Sequence, residues 1–371
     1  MGKEKVRDLR LDLIRIFSLF CVICVHFFLN TGYYNNVVIG KRMAFMTIIR
    51  SFFMICVPMF ITLTGYLMCN KKLSCRYYKG IIKIIVTYVL CSIVYLFFLK
   101  YYSKESISFS MLVVNILSYR GVPNAWYVEM YIGLFIFIPF LNMICNSIEE
   151  KKHFKLLLFT LLFLISFPGL LNIYKFDSIS WWHQPSIDDG YVKIFPAWWT
   201  GFYPLLYYFA GAYIRKYSSE LNIKLLPSLF FLSLVVLING VFSYYRSYNS
   251  QFIWGGWNNY DSLFVFIQTF LVFNIILKFR LDIKSKRIIG LFKVLSDSCF
   301  GGYLLSYIFD FIIYARINQM ASDAVGRFKY IPVVFIIFVL SLLSSILIER
   351  IRIILFYLSD KLYKKCKLIK S

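Results

Sequence analysis

Charged residues are scarce in this chain, and acidic residues are the scarcest of them. Only 16% of the 371 residues are charged, and 18 acidic residues stand against 41 basic ones. The chain also has no low-complexity linker, no clear internal repeat and no polar stretch longer than a loop. These absences argue against a separate soluble domain, and the inverted repeats of many transporters are not evident.

Apolar residues fill the chain instead, since 60% of it is hydrophobic and the mean hydropathy is +0.69. Apolar runs of about 20 residues, the length that spans a bilayer core, recur along the whole sequence. The pattern predicts an all-α integral membrane protein, a single membrane domain over residues 1–371. We predict about ten transmembrane helices, at 11–30, 44–69, 80–99, 125–145, 154–172, 199–216, 225–245, 261–279, 294–314 and 331–356.

The basic residues predict the orientation of these spans. Most lysines and arginines fall in the loops on the side that holds both termini, so the positive-inside rule makes that side cytoplasmic. The net charge of +23 then mostly reflects the basic cytoplasmic loops, which set the topology and attract anionic membrane lipids. No nucleic-acid partner is expected. We expect a multi-pass protein of the cell (inner or plasma) membrane.

The cysteines and the N-terminus agree with this map. None of the nine cysteines falls in a predicted outside loop, so no disulfide framework is indicated. Cys21 and Cys24 form a C-x-x-C pair, which on an apolar helix favours packing over redox chemistry. The N-terminal segment lacks a small-residue cleavage site and is interrupted by Arg15, which is unlike a cleavable signal peptide.

Two ionisable residues lie inside the first apolar run, Arg15 and His26. Their spacing returns both side chains to nearly one face of a helix, about 16 Å apart along its axis. Ionisable groups at membrane depth usually face a protein interior or a watery cavity. The alternatives are that Arg15 snorkels to lipid headgroups and that His26 is a satisfied interior residue.

Two predicted outside loops, 173–198 and 245–260, are rich in Trp, Tyr, Asn and Asp. Aromatic faces beside amide and carboxylate acceptors suit a sugar. Trp and Tyr are also expected at any membrane surface, so an interfacial aromatic belt is the alternative.

The Arg15-to-His26 spacing, opening a multispan chain, resembles the first helix of the acyltransferase-3 family of integral membrane acyltransferases. Thr64-Gly65-Tyr66 in VPMFITLTGYLM resembles the end of that family's second helix. Four more segments resemble it in order, CRYYKGIIKIIVTYVL (75–90), AWYVEMYIGLFIFIPFLN (125–142), YPLLYYFAGAYIRKY (203–217) and SDSCFGGYLLSYIFD (296–310).

The chain departs from the family pattern at three places. The family's basic stretch usually has two arginines three residues apart, where this chain has Gly80 and Lys83. The ninth helix often carries a histidine where Ser306 stands, so no role is carried over there. Many members add an outside hydrolase-like domain after the last span, and this sequence shows none there. We therefore expect the function of this chain to lie in the membrane core or in a separate partner.

The resemblance implies acyl transfer, commonly of acetyl from acetyl-CoA to a hydroxyl of an envelope glycan or its lipid-linked precursor, with no metal. The imidazole of His26 would accept the hydroxyl proton as general base, or would carry the acetyl group as acyl relay. Arg15 would belong to the catalytic site with His26 and, together with Arg76, Lys79 and Lys83, would bind the phosphates of acetyl-CoA. The alternative for the three loop cations is that they only mark the cytoplasmic side of the membrane, because every predicted cytoplasmic loop is basic.

The fourth predicted span supplies the remaining candidates. Glu129 would orient His26 or bind an acceptor hydroxyl, with Trp126, Tyr127 and Tyr131 as acceptor contacts; the alternative for Glu129 is a solvated residue at the helix mouth. Asp310 and Glu349 are weaker candidates, because the alternative for each is an ion pair with a neighbouring cation such as Arg316 or Arg350.

Two rival functions remain from the sequence. A flippase for lipid-linked oligosaccharides, or a polysaccharide exporter, explains many spans and an intramembrane Arg and His equally well. A glycan polymerase ranks third, because its large outside loop is usually rich in arginine and loop 173–198 has none. Partner proteins of envelope polysaccharide synthesis fit either reading.

Overall fold

A computed structural model describes residues 7–186, 191–218, 220 and 224–369, without the side chains of 360 and 362–369. The described chain is helical and contains no β-strand; an isolated bridge joins Val38 and Tyr248. This confirms the predicted all-α class.

The first half of the described chain contains α1 (Leu9–Asn30), α2 (Gly40–Phe53), α3 (Cys56–Met68), α4 (Cys75–Lys79), α5 (Ile81–Tyr102), α6 (Phe109–Leu117), α7 (Trp126–Ser147) and α8 (Lys151–Ile165). The second half contains α9 (Phe167–Leu171), α10 (Ile179–His183), α11 (Tyr203–Tyr217), α12 (Leu225–Ser247), α13 (Leu263–Leu277), α14 (Lys286–Met320), α15 (Ala324–Arg327) and α16 (Val333–Ile369). Short 3₁₀ turns lie at Tyr33–Asn35, Pro123–Ala125, Thr200–Phe202 and Phe328–Tyr330.

Seven helical segments of the described chain are long and apolar enough to cross a membrane. They are Leu9–Asn30, Gly40–Met68, Cys75–Tyr102, Pro123–Ser147, Leu225–Ser247, Lys286–Met320 and Val333–Ser359. The chain is therefore a multi-pass membrane protein by length and composition.

The other three predicted spans are helical but shorter. The helices α8, α11 and α13 have 15 residues each. Fifteen residues rise about 22 Å, which is less than the roughly 30 Å of a bilayer core. The number of ten crossings and the side of the termini therefore stay predictions.

The first helix is central to the packing, because α1 contacts α2, α3, α13, α14 and α16. Small residues allow the closest helix contacts. A Cβ built on Gly211 of α11 would lie 2.0 Å from the carbonyl oxygen of Thr62 on α3, and one built on Gly65 of α3 would lie 2.0 Å from that of Tyr208 on α11. Such contacts are the usual way in which helices approach each other in a membrane. The packing of α14 on α1 is the contact that positions the candidate site.

Candidate active site

The imidazole of His26 lies against a carboxylate from a distant part of the chain. His26 Nδ1 is 2.8 Å from Oδ2 of Asp310 on α14. His26 is 8% exposed and Asp310 is 1% exposed. A neutral imidazole that donates its Nδ1 proton to this carboxylate keeps the Nε2 lone pair for a substrate proton. The pair therefore has the arrangement of a base with its orienting acid.

Arg15 also bonds to α14, about three helical turns from His26 along α1. Its Nη1 donates to the Ser296 hydroxyl at 2.7 Å. Arg15 and His26 thus contact the same neighbouring helix, so both face the protein interior.

A cavity of about 360 Å³ begins at Arg15 and extends into the helix bundle. Its charged lining residues are Arg15, Lys83, Asp297, Glu349 and Arg352. The rest of the wall is mostly apolar and comes from α1, α3, α5, α7, α14 and α16; it is lined by Val22, Val57, Phe60, Leu63, Thr64, Leu67, Met68, Gly80, Ile84, Thr87, Tyr127, Tyr131, Ser296, Phe300 and Tyr303. A charged mouth and an apolar interior suit a long anionic ligand with an apolar end.

The cavity stops short of the His26–Asp310 pair. Its furthest lining residues on α1 and α14 are Val22 and Tyr303. His26 lies one helical turn beyond Val22, and Asp310 lies about two turns beyond Tyr303. The structure therefore places Arg15 in the cavity and His26 just past its inner end.

Aromatic rings line that inner end, and one of them is hydrogen-bonded to the turn before α7. The Tyr303 hydroxyl donates to the Asn124 carbonyl oxygen at 2.8 Å. The ring centroids of Tyr127 and Tyr303 are 5.6 Å apart, and those of Tyr127 and Phe60 are 6.2 Å apart. These groups separate the cavity from the end of α7 at which Trp126 lies.

The predicted residues of the fourth span fall on two faces of α7. Tyr127 and Tyr131, four residues apart, line the cavity. Glu129 is exposed, does not line the cavity and is not a partner of His26. Trp126 is also exposed, and its ring stacks on Tyr260 with centroids 6.0 Å apart. A residue two positions from a cavity-lining one points nearly the opposite way on a helix.

The three predicted loop cations do not all reach the cavity. Lys83 lines the cavity, whereas Arg76 and Lys79 on α4 are exposed and do not. The sequence reasoning missed Arg352, which lies in the wall and donates to Glu349 Oε1 at 2.6 Å and to the Thr87 hydroxyl at 3.1 Å.

The available signals in the sequence were partial. A Glu and an Arg three residues apart in an apolar helix are expected to face each other. Glu349 and Arg352 have this spacing and form an ion pair. From the sequence, Arg350 is named as the neighbouring cation instead, and Arg350 is exposed. Asp310 is only a weaker candidate from the sequence, which offers a neighbouring arginine as its alternative partner. A lone acid within an apolar run is itself a signal of function.

Comparison with known proteins agrees with this geometry. The model of the acyltransferase domain of the acyltransferase-3 family matches residues 8–350, nearly the whole chain. The chain belongs to the acyltransferase-3 family. This acyltransferase-3 protein is therefore a membrane acyltransferase, and the family resemblance of its motifs is confirmed. No curated protein and no solved structure matches the chain.

Proposed function

We propose that this acyltransferase transfers acetyl from cytoplasmic acetyl-CoA to a hydroxyl of an envelope glycan or of its lipid-linked precursor. The observation that carries the proposal is the buried His26–Asp310 pair, which lies just beyond the inner end of a cavity with three cations and two carboxylates in its wall. Membership of the acyltransferase-3 family favours acyl transfer over a flippase.

The chemistry needs a base for the acceptor hydroxyl. His26 Nε2 takes the hydroxyl proton, the oxygen forms a bond to the acetyl carbonyl carbon, and the carbon–sulfur bond breaks to release the coenzyme A thiolate. Asp310 stabilises the imidazolium that results. In the alternative route, Nε2 bonds to the acetyl carbon and the coenzyme A thiolate leaves. The hydroxyl oxygen then bonds to that carbon, the carbon–nitrogen bond breaks, and the hydroxyl proton stays on the freed imidazole. Both routes require the same nitrogen.

The donor side is supported by charge. Arg15, Lys83 and Arg352 lie in the cavity wall, and cations of this kind form strong charge-assisted bonds with phosphate. The apolar interior suits the thioester arm of the donor. Arg76 and Lys79 would contact the nucleotide only outside the cavity.

The acceptor would approach from the opposite membrane face. This requires the predicted ten crossings, cytoplasmic termini and residence in the cell membrane. The exposed Trp126 and the half-buried Tyr260 form an aromatic surface at the predicted outer end of α7, and Tyr127 lies between that surface and the cavity. Tyr131 lines the cavity and would contact the donor instead of the acceptor.

The test is the acetyl content of surface polysaccharide from cells that express each variant as their sole copy of the gene. His26→Ala should abolish the acetyl signals in the purified polymer, while the protein remains in the membrane in normal amount. His153→Ala is the matched control, because His153 is exposed and lies outside the cavity. Full acetylation with His26→Ala would overturn the mechanism, and polymer export without acetylation in the wild type would favour the flippase.

A further inference from the structure

A second cavity, of about 710 Å³, opens at the end of the protein where α1 begins and α13 ends. It is unused by the proposed acyl transfer. Its charged lining residues are four cations and two carboxylates, namely Arg7, Arg10, Lys278, Arg280, Asp8 and Asp282. The lining therefore carries a net positive charge.

Two of the cations hold the wall in place. Arg7 donates twice to the Asp12 carboxylate, at 2.6 Å each. Arg10 pairs with Asp8 at 2.7 Å and donates to the carbonyl oxygen of Leu277 at 2.7 Å, which ties α1 to the end of α13. The hydrogen bond from Arg10 lowers the pKa of Asp8, so that carboxylate stays ionised.

The other two cations are available to a ligand. Lys278 and Arg280 are exposed, and within the described chain no carboxylate lies at ion-pair distance from either. Phe279 lies between them in sequence and is 40% exposed. An exposed aromatic ring between two cations, directly after an apolar helix, is the composition of a membrane–water boundary.

We propose that this cavity binds the phosphate of an anionic phospholipid headgroup. Lys278 and Arg280 contact the phosphate, and Phe279 packs against the glycerol and upper acyl region. Basic pockets between helices on the cytoplasmic side are a general means of binding anionic headgroups. The proposal requires the loop after α13 to lie on the cytoplasmic side of the membrane, and it does not depend on the acyl-transfer chemistry.

Soluble phosphates, including those of coenzyme A, share the same chemistry. The two cavities are neighbours, because Arg7 lines the second cavity and its Nη2 lies 3.8 Å from Oδ1 of Asp297, which lines the first. The position of Phe279 directly after the apolar helix α13, at a membrane–water boundary, favours the lipid. The experiment must therefore compare the two sources.

The test is native mass spectrometry of the full chain in neutral detergent with added phosphatidylglycerol or phosphatidylcholine. We expect preferential phosphatidylglycerol binding that becomes about tenfold weaker or more in Lys278→Gln/Arg280→Gln, since each cation near the surface contributes about 1 kcal/mol. Lys71→Gln/Lys72→Gln removes two exposed cations outside both cavities and should bind as the wild type does.

A second variant changes binding in the other direction. Asp282→Asn removes a lining carboxylate and should bind phosphatidylglycerol more tightly, which tests the site even if the double variant does not fold. Equal binding by both double variants, or no gain with Asp282→Asn, would overturn the proposal. Displacement of the lipid by coenzyme A or by inorganic phosphate would assign the cavity to soluble phosphates.

Discussion

At the residue scale, the His26–Asp310 pair has a high energetic cost that its geometry offsets. A carboxylate that is 1% exposed at membrane depth is unfavourable unless it is paired or hydrogen-bonded. His26 satisfies Oδ2 of Asp310, and Oδ1 has no hydrogen-bond partner within the described chain. A buried acid with one satisfied oxygen is unfavourable for stability alone, which favours a role in catalysis.

We predict that Asp310, not Glu129, supports His26 in catalysis. Asp310→Asn should lower acetyl transfer by a factor of about 10² to 10⁴, because an amide cannot stabilise the imidazolium as a carboxylate does. Glu129→Gln should leave the rate within about twofold, since Glu129 is exposed and does not contact His26.

The measurement is the rate of transfer of labelled acetyl from acetyl-CoA to glycan in membrane vesicles with matched protein amounts. If Glu129→Gln lost activity and Asp310→Asn kept it, the sequence expectation for Glu129 would be restored and the geometric assignment would fail.

At the element scale, the contact of α3 with α11 depends on two glycines. Thr62 and Gly65 on α3 meet Tyr208 and Gly211 on α11 at backbone distance. Because α3 also supplies Val57, Phe60, Leu63 and Leu67 to the cavity wall, the position of α3 determines the cavity's width. A side chain larger than hydrogen at either glycine must push the helices apart.

We predict that Gly211→Ala lowers the thermal unfolding midpoint in detergent by several degrees, because overpacking of this kind costs about 1–3 kcal/mol. Gly133→Ala in α7 is the control, since a Cβ there meets nothing within 4 Å and alanine favours a helix. Tryptophan fluorescence during heating measures both variants. Equal midpoints would mean that α3 and α11 are further apart than the structure has them.

At the scale of the whole molecule, the number of crossings determines which chemistry is possible. Acetyl-CoA is cytoplasmic and an envelope glycan ends outside, so loop 173–198 must lie on the outer face for the proposed acceptor side. That requires α8 with α9 to cross, and the predicted ten crossings require α11 and α13 to cross as well, although α8, α11 and α13 have only 15 residues each. If only the seven longer segments crossed, this loop would be cytoplasmic.

We predict that a membrane-impermeant maleimide labels Ser180→Cys in intact spheroplasts and does not label the native Cys75 there. Ser180 is exposed on α10, and Cys75 is an exposed thiol at the start of α4. In inverted vesicles the labelling should be reversed. Labelling of both cysteines from one side would contradict the ten-span topology and would place the acceptor surface in the cytoplasm.

The sequence by itself determined the helical membrane class, the family and the joint direction of Arg15 and His26, because hydropathy and helical period are local properties. It also indicated Lys83, Tyr127 and Tyr131, which the structure brings to one cavity. Only the tertiary structure decided which carboxylate meets His26, since 284 positions separate it from Asp310 and helix packing alone joins them. The same packing separated Glu129 from the imidazole and brought Arg352 to the cavity, because the face that a helix buries depends on its neighbours.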